Sequence, residues 1–301
     1  GLPKQQDYPV PTLISFRSFL SKYFLKEPFI VKALCGHSFT LYLDKSGVVY
    51  IAKGFLNQGI LEKINFTKEE IVSIHGYIQP CIIGKSGTIY LVNDDLTAHP
   101  ISFKFTDNTN SEDDDPDSKT IIDVCTTKKS LICLTKNGRV YMVNNNTSGT
   151  IFTLVKSLLN EKITKVLCKT NNFFSLSTSG KIFKYDNESE SELFTPIEFP
   201  QDVKIIDFSI GYDFSCFIDT ENCVWFTGSK SFSSLIGQSK KISFTKPIKS
   251  TLLDSQNCYA IQVHCGYSHL LILAKQGNKS VKIDQQKVDQ QKVDQQKVDQ
   301  Q

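Results

Sequence analysis

One short block recurs six times along the chain: CGHSFTLYLDKSGVVY (35–50), HGYIQPCIIGKSGTIY (75–90), CTTKKSLICLTKNGRVY (125–141), CKTNNFFSLSTSGKIF (168–183), IGYDFSCFIDTENCVW (210–225) and CGYSHLLILAKQGNKS (265–280). Its turn position holds Gly47, Gly87, Gly138, Gly180, Asn222 and Gly277. The interval between copies stays in the low forties, with longer steps from Gly87 to Gly138 and from Asn222 to Gly277. A period in the forties built from short apolar runs is the signature of a radial propeller or array. In such folds the repeated residues build the scaffold, and function rides on the parts that depart from the repeat.

Each copy has the same physical content. An apolar run comes first, as in Ile71-Val72-Ser73-Ile74 or Ile205-Ile206-Asp207-Phe208. Gly36, Gly76, Gly211 and Gly266 then permit a bend, a place taken by Thr126 or Thr127 and by Lys169 in the other two copies. A second apolar strand follows and ends in Ser-Gly three times and Asn-Gly once, both strong hairpin signals because Gly accepts positive φ. The third run opens with a β-branched residue and an aromatic: Val49-Tyr50, Ile89-Tyr90, Val140-Tyr141, Ile182-Phe183 and Val224-Trp225. Short runs with this punctuation predict strands rather than helices.

The pattern apolar-x-x-apolar-x-x-Gly-x-x-His, followed by Leu-x-x-x-Gly-x-Val-Tyr, resembles the regulator of chromosome condensation repeat. Residues Cys265 to Leu273 fit it best, and its trailing loop is recognisable in Gly54–Leu61 and in Gly228 with Leu235-Ile236-Gly237. The resemblance covers 30–283. It implies an all-β β-propeller of antiparallel four-stranded blades, seven by family expectation with six copies visible. Residues 9–29 are then candidates for strands that close the ring, since closure removes exposed edges. The expected organisation is a flexible N-terminus at 1–8, the propeller at 9–283 and a low-complexity tail at 284–301. One copy alone keeps the family-like histidine, His269, and Trp225 alone stands where the family often has an aromatic-Gly pair.

Composition excludes several classes. An apolar fraction of 40% is ample for a core, and a net charge of +3 with dispersed basic residues does not describe a nucleic-acid arm. No apolar run approaches the ~20 residues of a membrane span, and the N-terminal stretch does not read as a secretion signal. The nine cysteines include no CxxC pair, and Cys35, Cys168 and Cys265 share one repeat column in different blades. Free packed thiols in an intracellular, reducing compartment, cytoplasm or nucleus, are therefore expected.

Three motifs have plainer readings. Gly84-Lys85-Ser86 echoes the end of a phosphate loop, but Gln79 stands where that loop needs its first Gly and Thr88-Ile89-Tyr90 continues as a strand. Asp113, Asp115 and Asp117 have calcium-loop spacing, yet Ser118 and Val124 replace the required Gly and Glu. The five histidines form no HExxH, and His75 in a strand reads as structural. No cofactor or metal is implied. In the tail, Ile283, Val288, Val293 and Val298 recur at every fifth position, which makes a stripe on neither a helix nor a strand, so a disordered linker is expected.

Two insertions break the period, and insertions on a propeller are expected to project from one face. The first is acidic, with Glu112, Asp113, Asp114, Asp115 and Asp117; the second spans Ser229–Gln238 and runs on to Lys240 and Lys241. These seven residues are the candidate partner-binding positions, because variable loops on a rigid ring carry recognition. The reading is a non-catalytic scaffold that binds another protein. The resemblance also implies guanine-nucleotide exchange on a small Ran-type GTPase, which works by differential affinity and needs no catalytic motif. A third reading makes the ring an adaptor within a larger dimerising or ubiquitin-ligase chain. The oligomeric state is left open by the sequence.

Overall fold

A computed structural model describes residues 28–53, 61–66, 68–106, 119–127, 130–144, 150–169, 172–186, 193–229, 244–254, 257–266 and 269–277. The expected strands before Pro28, the trailing-loop segments Gly54–Ile60 and Leu235–Gly237, and the tail lie outside these residues. The chain divides into two compact units, 1–196 and 197–301.

The first unit carries four antiparallel meanders: β1 (Ile30–Cys35) to β4 (Leu61–Lys63) through β2 (Phe39–Asp44) and β3 (Val49–Lys53); β5 (Ile71–His75), β6 (Cys81–Gly84), β7 (Ile89–Val92) and β8 (Ala98–Pro100); β10 (Ile121–Thr126), β11 (Ser130–Thr135), β12 (Val140–Asn144) and β13 (Thr150–Leu154); and β14 (Ile163–Lys169), β15 (Asn172–Ser177), β16 (Ile182–Asp186) and β17 (Thr195–Pro196). The second unit holds β18 (Ile205–Ile210), β19 (Phe214–Asp219), β20 (Val224–Gly228) and β21 (Phe244–Lys249), then a pair, β22 (Cys258–Cys265) and β23 (Leu270–Gln276). Two sheets differ in strand number from the rest. Strand β9 (Phe103–Thr106) pairs parallel with β13 and makes the third sheet five-stranded, while the sixth sheet has two strands among the described residues. A 3₁₀ turn at Lys156–Leu158 lies between β13 and β14.

Every first strand has a β-bulge at the same place, between Ile30 and Lys32, Ile71 and Ser73, Ile121 and Asp123, Ile163 and Lys165, Ile205 and Asp207, and Ala260 and Gln262. A bulge re-aims the side chains around it. The residue that follows each bulge is polar: Lys32, Ser73, Asp123, Lys165, Asp207 and Gln262.

The hairpin after the second strand is one turn repeated. In five sheets a residue accepts from the N–H three positions on and donates to the carbonyl four positions on, as in Gly47 N to Asp44 O (3.1 Å) and Asp44 N to Val48 O (2.9 Å). Asn222 N to Asp219 O and Asp219 N to Cys223 O repeat it at 2.9 and 3.1 Å. This is a short loop whose last position takes positive φ, +80° at Gly47, +89° at Gly138 and +59° at Asn222.

The bend between first and second strands is equally regular. Gly36, Thr127, Gly211 and Gly266 each donate to the carbonyl three positions later, at 2.8, 2.9, 2.7 and 2.8 Å. Thr127, not Thr126, is thus the bend residue, and with it the spacing from bend to turn is identical in all six copies. A Cβ on Gly36, Gly211 or Gly266 would meet the ring of Phe39, Phe214 or His269 at 2.3, 2.0 and 2.0 Å. The Gly-x-x-aromatic part of the repeat is therefore a packing pair, and the copy with Thr127 carries the small Ser130 instead.

Apolar faces of successive sheets meet within each unit. Leu41 and Ile51 pack with Ile74 and Ile82, Ile83 with Val124 and Phe152, and Ile132 with Val166 and Phe173. In the second unit Cys216, Ile218 and Phe226 meet Ala260 and Val263. Burial of one such large side chain contributes roughly 1.5–3 kcal/mol.

Candidate interaction surfaces

Glu112, Asp113, Asp114, Asp115 and Asp117 lie in 107–118, and Lys240 and Lys241 in 230–243, both outside the described residues. Their anchors are defined. Strand β9 runs parallel with β13 and so ends, at Thr106, on the hairpin-turn end of its sheet, where Lys119 also stands ahead of β10. The second insertion leaves after β20 at the bend end: Ser229 N donates to Asp213 O at 2.9 Å, and Gly228 pairs with Phe244. The two insertions therefore start from opposite ends of their own sheets. A segment joining a last strand to the next first strand leaves from the turn end, whereas one joining third and fourth strands leaves from the bend end.

At the turn ends the polar groups serve the turns. Asp44 Oδ1 accepts from Ser46 N at 2.8 Å and Val48 N at 2.9 Å. Gly84, in the same column, has no side chain to do this. The carboxylate of Glu69, from the loop that precedes β5, takes its place. It accepts from Ser86 N at 2.7 Å, Ser86 Oγ at 2.8 Å and Tyr90 Oη at 2.6 Å. Partial burial opposes ionisation of Glu69, but the bonds from Tyr90 and Ser86 outweigh it and hold the carboxyl below its ordinary pKa. Gly84-Lys85-Ser86-Gly87 is a hairpin turn, and Ile89 continues it as strand β7.

At the bend ends of the first unit the loops lock to one another. His37 N donates to Tyr77 O at 2.7 Å, and Tyr77 N donates to Thr126 Oγ1 at 3.0 Å. Cys168 Sγ donates to Thr126 O at 3.3 Å, and Lys169 Nζ lies 5.8 Å from the centre of the Tyr77 ring.

The bulge column supplies the other polar cluster. Lys32 Nζ donates to Ser73 Oγ at 3.0 Å, and His75 Nδ1 meets Asp123 Oδ1 at 2.7 Å. Burial lowers the Lys32 pKa against the pull of the Asp123 charge. His75 is buried, and its Nδ1 ties its sheet to Asp123 of the next. The thiol of Cys81, its strand partner, is pushed far up by burial and by the Asp123 charge. Among the described residues no group of three His, Cys, Asp or Glu could hold a metal ion.

All nine cysteines are free, with Cys35 exposed and Cys81, Cys125, Cys133, Cys216 and Cys223 buried. No helix among the described residues is long and apolar enough to cross a membrane.

No family model matches the chain, and no curated protein matches it in sequence. Solved structures do match. Human WBSCR16 is 14% identical, with 83% of this chain and 73% of that chain covered at a TM-score of 0.63. Prp20p from Saccharomyces cerevisiae, which binds Gsp1p and histones, is 12% identical over 87% of this chain and 72% of its own, with a TM-score of 0.65. The complex of Kap60 with yeast RCC1 (Prp20) matches at 14% identity over 81% and 67%, TM-score 0.57. Likeness of this kind is a statement about architecture: the chain has the β-propeller fold of the regulator of chromosome condensation type.

Proposed function

We propose that the chain is a non-catalytic scaffold that binds another protein through the insertions at 107–118 and 230–243. One observation carries this reading. The recurring polar side chains of the repeat are committed to turns, bends and cross-sheet ties, which leaves the two oppositely charged insertions as the features that the repeat does not account for. Glu112, Asp113, Asp114, Asp115 and Asp117 supply negative charge, and Lys240 and Lys241 positive charge. Charge of this kind acts mainly on association rate and is screened by salt.

The test is affinity capture of binding proteins by the full chain, by a deletion of Thr109–Asp117 and by Lys240→Glu with Lys241→Glu. Each variant is expected to lose capture of a partner while keeping the parent melting temperature, with the acidic-loop effect shrinking at high salt. Unchanged capture by both variants rejects the reading.

A second reading draws on the likeness to Prp20p, a protein that binds Gsp1p. Here the chain would accelerate nucleotide release from a small Ran-type GTPase by binding its nucleotide-free form more tightly. We expect no stimulation, because the chain keeps one family-like histidine and two trailing loops, too few of the side chains that such a docking face requires. Fast release from a panel of small GTPases would promote this reading over the first.

A further inference from the structure

Cysteines from neighbouring sheets meet thiol to thiol once in each unit. In the first unit Cys125, on β10, and Cys168, on β14, hydrogen-bond through their sulfurs and pack in one core with Val166 and Phe173. Cys168 Sγ also donates to Thr126 O at 3.3 Å, a carbonyl that accepts from Ile78 N at 3.3 Å as well. With the Cys168 proton committed there, the S–H of Cys125 is the donor between the two sulfurs. In the second unit Cys216, on β19, hydrogen-bonds to Cys265, at the end of β22, inside the core that those sheets share. Cys265 N donates at 2.9 Å to Oγ of Ser209, the cross-strand partner of Cys216, which seats the two thiols against each other.

The members of each pair differ in access. Cys125 and Cys216 are buried, whereas Cys168 and Cys265 are half-buried. A third couple from adjacent sheets, Cys81 and Cys133, shares a core but has no accessible member. Oxidation of a thiol follows its exposure and thiolate character, and a second thiol in contact resolves the product.

We propose that Cys125–Cys168 and Cys216–Cys265 are peroxide-sensitive dithiol sites, in which the half-buried cysteine is oxidised first and the buried one closes a disulfide between adjacent sheets. The Cys168 sulfur attacks one oxygen of a hydroperoxide. The O–O bond breaks, and an alcohol, or water from hydrogen peroxide, leaves with the thiol proton. The Cys125 sulfur then attacks the sulfenic acid on Cys168, the S–O bond breaks, and water leaves with the Cys125 proton. Two thiols lose two electrons, and the hydroperoxide gains them. Cys265 and Cys216 follow the same course. In a reducing compartment such a bond is transient, formed under oxidant and removed by thiol exchange. In the first unit it replaces the bond from Cys168 to Thr126 with a covalent tie at the bend end. Neither site uses the insertions, so the scaffold reading and this one can fail separately.

Mass spectrometry tests the assignment on the full chain, reduced, treated with hydrogen peroxide, then denatured and alkylated. Peptides joining Cys125 to Cys168 and Cys216 to Cys265 are expected, with Cys81 and Cys133 recovered as alkylated thiols. Dithiothreitol should reverse both links. Cys125→Ala should leave Cys168 as a sulfenic acid that dimedone traps. Cys168→Ser should slow oxidation of Cys125 by about tenfold or more, since its accessible partner is gone. Mapping on the parent needs no substitution and decides the matter even if a variant does not fold. Recovery of either pair as thiols, or over-oxidation of its half-buried member without a link, overturns that site. Links that also join Cys81 to Cys133 overturn both, because they would mark unfolding rather than two built sites.

Discussion

The indole nitrogen of Trp225 donates to Oδ2 of Asp219 at 2.7 Å, while Oδ1 of the same carboxylate accepts from Glu221 N and Cys223 N, both at 2.8 Å. One buried side chain thus closes a turn and fastens the next strand to it. Asp219→Ala would leave three donors without their acceptor, and a loss of about 3 kcal/mol is expected in urea unfolding. Trp225→Phe removes one of the three bonds and should cost about 1–2 kcal/mol.

Glu69 and Gly84 should be exchangeable as a pair. A Cβ on Gly84 would meet the Glu69 carboxylate at 2.2–2.5 Å, so Gly84→Asp in the parent is expected to destabilise. Glu69→Ala alone should also destabilise, by about 1–3 kcal/mol, since the amide and hydroxyl of Ser86 lose their acceptor. When the two changes are combined, the carboxylate introduced by Gly84→Asp can serve the turn as Asp44 does, and the double variant should be more stable than either single one. A double-mutant cycle with additive losses would reject this.

Gly138 and Gly87 share a turn position with φ of +89° and +81°, yet their surroundings differ. A Cβ on Gly138 would lie 2.6 Å from Lys162 Cγ and 3.0 Å from the backbone of Ile163, whereas one on Gly87 meets nothing within 4 Å. Asn is already used here at Asn222. Gly87→Asn should therefore cost about 1 kcal/mol or less, and Gly138→Val several times more, because a β-branched residue resists positive φ. Thermal melts of the two variants give the comparison.

How much of this was legible in the sequence follows from what each feature depends on. The strands, bends and turns depend on residues close in sequence, so a Gly-x-x-aromatic bend and the Ser-Gly turn at a fixed distance after it could be read directly. The role of Glu69 could not: Gly84 signals only an absence, and the group that fills it comes from another loop. Parallel pairing of β9 with the following sheet was hidden for the same reason, since the alternation of Phe103–Thr106 says nothing of which strand it joins. The histidine of the repeat was visible as a motif, but only its ring lying on Gly266 shows it to be packing. The charged insertions stood out by composition.

Tyr50 carries a pH prediction. Burial, the Asp44 charge and a hydrogen bond to Asp44 push its phenol up from 10.0 to about 12. The fold therefore favours the neutral phenol. The stability this provides is fully present below the unfolded value near 10 and is lost as pH rises through about 12. Tyr50→Phe should lower stability near neutral pH by about 1 kcal/mol and flatten the alkaline decline, as read from melts between about pH 9 and 12.

Thiol reactivity should follow burial. Burial pushes up the thiols of Cys81, Cys133 and Cys216, and Cys125 is raised by its hydrogen bond to Cys168 and by burial. In a native titration with a thiol reagent Cys35 should react first and the five buried thiols stay silent, with all nine reacting after denaturation. Native disulfides found by mass spectrometry would overturn the expected reducing compartment.

The carboxylate of Glu69 standing in for a missing side chain at Gly84 bears on how such rings drift apart over time. What the turn demands is an acceptor at a point in space, and any nearby stretch of chain can deliver it. A repeat can then lose its signature letter by letter while each local bonding requirement is still met by a substitute. Likeness of that kind fades from the letters sooner than from the shape, which fits a chain only 12–14% identical to proteins whose architecture it shares.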